Sequence, residues 1–448
     1  MLTFAYRLYR LSSSVRYRLR RRLTPAGWLT LAGLILTGAL GVDLEHSVAS
    51  QTFAVLSCLL IISVLWSFFF RNHFDVERFL PRFGTVGQPF TDRILVRNRS
   101  AKWWRELDVL EELADPRPSR EEFIDVHQSS ARNRSFKLAS SSGWVEQRRA
   151  AVKPAVLPSL TPRGEADARL EVLPLRRGPL RFEGAVVARR DPLGLVRAFV
   201  RVRLPQTVLI LPKRYRVPPI SLPGTNKYQQ GGVAFAAAIG EAEEFVSLRD
   251  YRPGDPLRHV HWRSSARTGR LVVKEFEDEF FVRHALILDT FGDTQQSQAF
   301  EEAVSIAASF ACRINTQESL LDIMFVENQA VCFTTGRGLA HTEQALEILA
   351  SVRLCRQKPF STLQALVLQH VAQVSGCICI FLSWDQSRRE LVKKLEACGL
   401  PLIVLVVTDE AGARELDSLS GEDRPGRFHV LEIGKIEAGL QVLEEVAG

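Results

Sequence analysis

The sequence predicts an α+β multidomain membrane protein: two N-terminal transmembrane helices, a β-sandwich-like domain and a C-terminal doubly wound α/β domain. Three observations carry that prediction. Two uncharged apolar runs lie near the N-terminus. A middle region alternates apolar and polar residues with a period near two. Beyond residue 281, short continuous apolar runs alternate with amphipathic helical stripes. A chain of 448 residues has room for two or three domains besides any span. With 46% hydrophobic and 24% charged residues it is neither disordered nor fibrous.

Residues 1–25 form a basic arm, followed by apolar runs at 26–42 and 52–70 with a 43–51 connector between them. At about 1.5 Å per residue, the runs reach roughly 26 and 28 Å, enough for a thin bilayer core. Seven arginines precede the first run, Arg71 follows the second, and the connector carries Asp43 and Glu45. The positive-inside rule then places both termini in the cytoplasm of a two-pass protein. Ser47-Val48-Ala49 resembles a signal-peptide cleavage site, but the second apolar run directly behind it argues against export. Arginines beside a span also suit contact with anionic membrane lipid.

Residues 71–213 read as the β domain, with apolar alternation at Ile94–Val96, Leu107/Val109 and Phe182–Val187, and charged tracts at 117–149 read as loops or edge strands. Residues 217–240, rich in Pro, Gly and small side chains, read as a linker leading into a motif, within a 214–280 segment. Residues 281–448 supply the α/β domain, with strands at 284–289, 320–326, 377–383 and 401–407 and helices at 298–313, 342–353, 362–373, 386–398 and 435–446. In such sheets, ligands gather beyond the carboxyl ends of the strands, here marked by Asp289, Asp385 and Asp409.

The formal charge of +8 is uneven. Residues 71–280 hold 37 basic against 26 acidic side chains, and residues 281–448 hold 14 against 22. A basic middle and an acidic end suit mutual attraction or separate partners. The middle region has no helix-turn-helix, zinc-finger or stacked-aromatic signature, so nucleic acid is not the expected partner. Six of seven cysteines lie in the last third without framework spacing, the pattern of reduced core thiols. Cys377 and Cys379 alternate on one strand and so share a face.

The densest chemistry lies at 249–267, RDYRPGDPLRHVHWRSSAR. Arg249, Asp250, Tyr251, Arg252, Asp255, Arg258, His261, Trp262, Arg263 and Arg267 imply an ion-pair lattice or a docking face, because long charged side chains are rarely buried unpaired. Arg252-Pro253-Gly254-Asp255 suits a tight turn with Gly254 at positive φ. Asp255 before Pro256 suits an N-cap opening a helix over 256–267, which Thr268-Gly269 stops. Strands flank it at 244–248 and 271–276. His259 and His261, two positions apart on a helix, point apart and make a poor metal pair. A hydrolase or transferase using His261 with Asp250 or Asp255 is an alternative, but Ser264 and Ser265 lack a nucleophile-elbow context.

The run 240–279, with LRRGPLRFEG and RRDPLGLVR at 175–197, resembles the signature of the domain of unknown function 58 family, and the expected domain layout is similar to that family's along the whole chain. The resemblance implies a bacterial cytoplasmic-membrane protein whose last domain is von Willebrand factor A-like. It also implies work beside a MoxR-type AAA+ ATPase, and beside a transglutaminase-like membrane protein. Such domains hold Mg²⁺ or Mn²⁺ with a D-x-S-x-S stretch. Here the stretch is Asp289-Thr290-Phe291-Gly292-Asp293, with Asp385 as stand-in for a later aspartate. Phe291 offers no ligand, so the expected site is degenerate and metal-free. The leading expectation is therefore a non-enzymatic scaffold acting through protein–protein contacts. Divalent-metal-dependent binding through Asp289, Asp293 and Asp385 is the alternative.

Overall fold

A computed structural model describes residues 2–40, 47–70, 72–114, 148–218, 244–255, 257–277, 283–292, 297–314, 320–336, 339–417 and 424–445. The chain forms two compact units, Met1–Leu211 and Pro212–Gly448.

The first unit opens with three helices, α1 (Leu2–Arg22), α2 (Pro25–Leu40) and α3 (Ser47–Phe69). The sequence reading left the basic arm without structure, yet its Leu and Val residues recur at three- and four-residue spacing, and it is helical. Among the described residues, Val48–Phe69 is long and apolar enough to cross a membrane, with mean hydropathy 2.3. α2 was expected to be a second span of comparable reach. Its 16 residues rise only about 24 Å, short of a hydrocarbon core of about 30 Å.

Among the described residues nine strands follow: β1 (Phe74–Phe79), β2 (Phe83–Thr85), β3 (Phe90–Asn98), β4 (Leu107–Leu113), β5 (Ala150–Val152), β6 (Ala155–Leu157), β7 (Glu165–Pro174), β8 (Gly178–Arg190) and β9 (Arg197–Leu211). They build two sheets, ordered β1-β3-β7-β5 and β2-β9-β8-β4-β6. Period-two alternation turns Ile94, Val96 and Leu170 of one sheet onto Leu107, Val109 and Val187 of the other, forming one core. The exit of α3 is rooted in that core, where Phe70 meets Trp104 edge-on at 5.3 Å. The charged tracts at 117–149 fall almost wholly outside the described residues.

In the second unit, β10 (Glu244–Asp250) and β11 (Val272–Glu277) form an antiparallel pair around a short helix α4 (Trp262–Thr268). The linker read over 217–240 lies, but for its first two residues, outside the described residues. A six-stranded sheet completes the unit, from β12 (Arg283–Leu288), β13 (Leu320–Val326), β14 (Ala330–Thr335), β15 (Gly376–Phe381), β16 (Leu402–Thr408) and β17 (Phe428–Glu432), in the order β14-β13-β12-β15-β16-β17. Every pairing is parallel except that of β14. The accompanying helices are α5 (Gln298–Ile314), α6 (Leu339–Ser351), α7 (Ser361–His370), α8 (Gln386–Ala397), α9 (Glu410–Asp417) and α10 (Ile436–Glu445). β12, β15 and β16 are buried along nearly their whole length, as continuous apolar runs require. The chain runs from β12 to β13 on one side and returns to β15 on the other, so the crevice between β12 and β15 is the topological switch point.

Candidate functional site

The helix expected over 256–267 is replaced by a 3₁₀ turn and a separate short helix, behind the tight turn expected at 252–255. Arg252 O accepts from Asp255 N at 3.0 Å, closing the expected tight turn, and Gly254 takes φ +109 where a side chain would be strained. Asp255 does not cap a helix at 256. Its carboxylate accepts a two-pronged bond from Arg249, at 2.7 and 2.8 Å, and the Arg252 N–H at 2.8 Å. Those hydrogen bonds, the Arg249 fork first, pull the Asp255 carboxyl down to about 2. Leu257–His259 makes a 3₁₀ turn, and Arg258 lies in it. Val260 then buries itself against Val273 through a strand bridge, which pulls the chain out of helical geometry. Its burial ends the helical pattern the spacing implied.

His261 restarts the helix. Its N–H donates to Val272 O at 2.8 Å, and its ring Nδ1 accepts the Ser264 N–H at 3.3 Å, capping α4. The Ser264 hydroxyl lies 2.7 Å from the same nitrogen. Both contacts come from residue i+3 on one turn, so this histidine–serine pair is a capping arrangement. Ser265 Oγ accepts the Val272 N–H at 2.9 Å and ties α4 to β11.

None of α4's residues is buried, and Trp262 is 64% exposed. Arg252, Pro253, Arg263 and Arg267 are exposed too, Asp250 ends β10 on the surface, and half-buried Tyr251 donates its N–H to Leu271 O at 2.9 Å. Among the described residues the motif forms the ion pair Arg249–Asp255, and of the two expectations for it, lattice or docking face, the exposed side chains favour the second. The turn consumes that pair, and Arg252, Arg263 and Arg267 stand outward.

The second candidate lies at the switch point. Asp289, just past β12, is fully buried, and its oxygens accept from Phe291 N (2.9 Å), Leu382 N (3.1 Å) and the guanidinium of Arg388 (3.0–3.2 Å). Asp385 caps α8 by accepting Arg388 N at 3.0 Å, and also pairs with the Arg388 side chain. That guanidinium stacks 4.4 Å from the Phe360 ring, against which Phe291 packs edge-on at 5.4 Å. Burial pushes the Asp289 carboxyl upward, opposed by Arg388 and the two N–H groups.

The donor set does not fit a divalent ion. Asp289's oxygens are spent on hydrogen bonds, Asp385 is spent on the cap and Arg388, and Asp293 lies outside the described residues. Among the described residues, no group of three His, Cys, Asp or Glu side chains could hold a metal. An internal arginine supplies the positive charge instead. Sequence reasoning missed Arg388, which is 99 positions from Asp289, although it follows Asp385 by three.

A buried charge centre in the first unit was also missed. Arg78, Asp92 and Glu111 have no side-chain exposure. Arg78 donates to both Glu111 oxygens (3.2 and 2.6 Å) and to Leu204 O (2.9 Å), and lies 3.7 Å from Asp92. One guanidinium faces two carboxyls, and burial pushes Glu111 up to about 8 and Asp92 upward as well. The signal was the inward alternation of Asp92, Ile94 and Val96 on β3.

Residues 247–407 match the sequence model of a family described as "Protein of unknown function DUF58". The match runs from the motif through β16 and includes Asp289, Asp385 and Arg388. Over 193 residues, 43% of this chain and 47% of the relative, the sequence is 28% identical to the uncharacterized protein YeaD of Bacillus subtilis. The match thus spans about half the length of that relative. Among solved structures, an aerotolerance-related membrane protein from Bacteroides fragilis is similar at 9% identity, over 37% of this chain and 96% of the other, with TM-score 0.24. The CARDB domain of a Pyrococcus furiosus protein, in complex with di-metal ions, is similar at 15% identity over 32% and 91%, with TM-score 0.17. Neither likeness carries an argument.

Proposed function

We propose that this chain is a non-enzymatic scaffold, held in a bacterial cytoplasmic membrane by α3 with the shorter α2 entering beside it, which docks a MoxR-type AAA+ ATPase on the outward face of α4. The carrying observation is Trp262, 64% exposed on a helix none of whose residues is buried. Seven residues do not sustain a helix alone, and here the His261 cap and the Ser265 tie hold it in place. A rigidly presented Trp flanked by exposed arginines has the composition of a binding hot spot. The resemblance in 240–279 supplies the partner class, and a transglutaminase-like membrane protein is the second partner it implies.

The switch point suits the same reading, because Arg388 already occupies the Asp289 oxygens. The test uses the full chain in lipid nanodiscs and a purified MoxR-type ATPase of the same organism. Trp262→Ala is expected to weaken binding at least about tenfold. Undiminished binding by the variant, or no binding by the native chain with either ATP or ADP, removes the proposal.

A further inference from the structure

Helix α1 keeps its apolar side in solvent. Leu8, Leu11, Val15 and Leu19 share one face and are 59%, 65%, 49% and 40% exposed. An arginine-rich helix with an unburied apolar stripe has the make-up of a helix lying in a membrane's headgroup layer. Its C-terminal end is fixed with respect to α2. Leu23 pairs with Val196, Thr24 N donates to Leu195 O at 3.1 Å, and Thr24 Oγ1 donates to Gly194 O at 2.5 Å. Gly27 lies so near the β8–β9 turn that a Cβ there would be 2.1 Å from Leu195 O, so only glycine fits. The apolar helix therefore leaves the sandwich three residues after Arg22, and the last turn of α1 is held where a bilayer surface would begin.

A groove of about 690 Å³ opens between this end of α1 and β9, lined by Tyr17, Arg21, Arg22, Phe199 and Arg201 among others. Arg21 donates to the Tyr17 hydroxyl at 3.0 Å and to Glu111 O at 2.9 Å, both uncharged acceptors. Arg22 lies over the Phe199 ring at 5.9 Å. Arg201 meets a carboxylate, Glu112, at 3.5 Å. Among the described residues, three guanidiniums in this groove face one acid.

We infer that this groove binds the phosphate headgroup of an anionic phospholipid drawn from the leaflet that α2 enters. Guanidinium forks match phosphate oxygens, and a lipid there keeps its acyl chains beside α2 while its phosphate meets the arginines. The inference rests on the proposed membrane anchorage and names a lipid partner for it.

The test is native mass spectrometry of the full chain released from nanodiscs of phosphatidylcholine doped with phosphatidylglycerol. The native protein is expected to retain phosphatidylglycerol selectively, and Arg22→Ala/Arg201→Ala to lose that selectivity about tenfold. Arg22→Lys/Arg201→Lys, which keeps the charge, is expected to retain part of it. Equal retention of both lipids, or an alanine variant indistinguishable from native, overturns the inference. So does displacement of the lipid by millimolar inorganic phosphate, which would identify a soluble ligand. Integration is checked by carbonate extraction. A chain released by carbonate defeats the anchorage and this site together, whereas an integrated chain without lipid selectivity defeats the site alone.

Discussion

Each of the two units buries an arginine beside two carboxyl side chains, Asp92 and Glu111 in the first and Asp289 and Asp385 in the second, and the two centres differ in how many donors face each enclosed acid. At Arg78 one guanidinium serves two fully enclosed carboxyls, so burial outweighs attraction and Glu111 is pushed up to about 8. At Arg388 the enclosed carboxylate, Asp289, accepts from the guanidinium and from two N–H groups, while Asp385, which shares the guanidinium, is 48% exposed. Burial raises the enclosed carboxyl at both centres, and the centres differ in what opposes it: one guanidinium for two enclosed carboxyls at Arg78, a guanidinium and two N–H groups around one at Arg388.

The largest expected effect comes from breaking the better-matched centre. Asp289→Ala leaves Arg388 buried without its main partner and should cost about 3–5 kcal/mol in the second unit. Asp289→Leu/Arg388→Leu, which removes both charges, should recover most of that loss. Denaturant unfolding of the full chain, read by hydrogen exchange at β12 and β15, measures both. If the single and double variants are equally unstable, the pair is not a matched ion pair.

Next comes pH, which should act on the two units in opposite directions. His284 on β12 is buried, and burial pushes its imidazole down to about 4. The unfolded chain takes up a proton below about 6.5 that the folded chain refuses until about 4. The second unit should therefore lose about 3 kcal/mol as pH falls from 6.5 to 4. His284→Leu should flatten that dependence in hydrogen-exchange profiles. Glu111 has the opposite sign, since its raised folded value gives stability present below about 4.5 and lost as pH rises towards 8. Glu111→Gln should remove that alkaline loss from the first unit and leave the second unit's profile unchanged.

Much of the architecture was legible in local pattern. The continuous apolar runs of β12, β13, β15 and β16 and the stripes of α5 and α8 need only a few neighbouring residues to be recognised. Period-two alternation likewise announced β3 and β8. The motif misled at Val260 and Asp255. Cap chemistry pointed to one helix, while the demand for Val260 in the core and the Arg249 fork on Asp255 were tertiary facts. Asp289 was visible as a polar strand end, but what it holds depends on Arg388 from another helix, and no local spacing encodes that pairing. The helicity of α1 could have been found from the recurrence of Leu8, Leu11, Val15 and Leu19.

The central claim is that α4 presents Trp262 outward for a partner protein. It is tested most directly by the equilibrium affinity of the proposed partner, a MoxR-type ATPase of the same organism, for this chain in nanodiscs, native against Trp262→Ala. The account predicts saturable binding by the native chain, weakened at least about tenfold in the variant while the hydrogen exchange of β10 and β11 is unchanged. Equal affinities in a folded variant would contradict it.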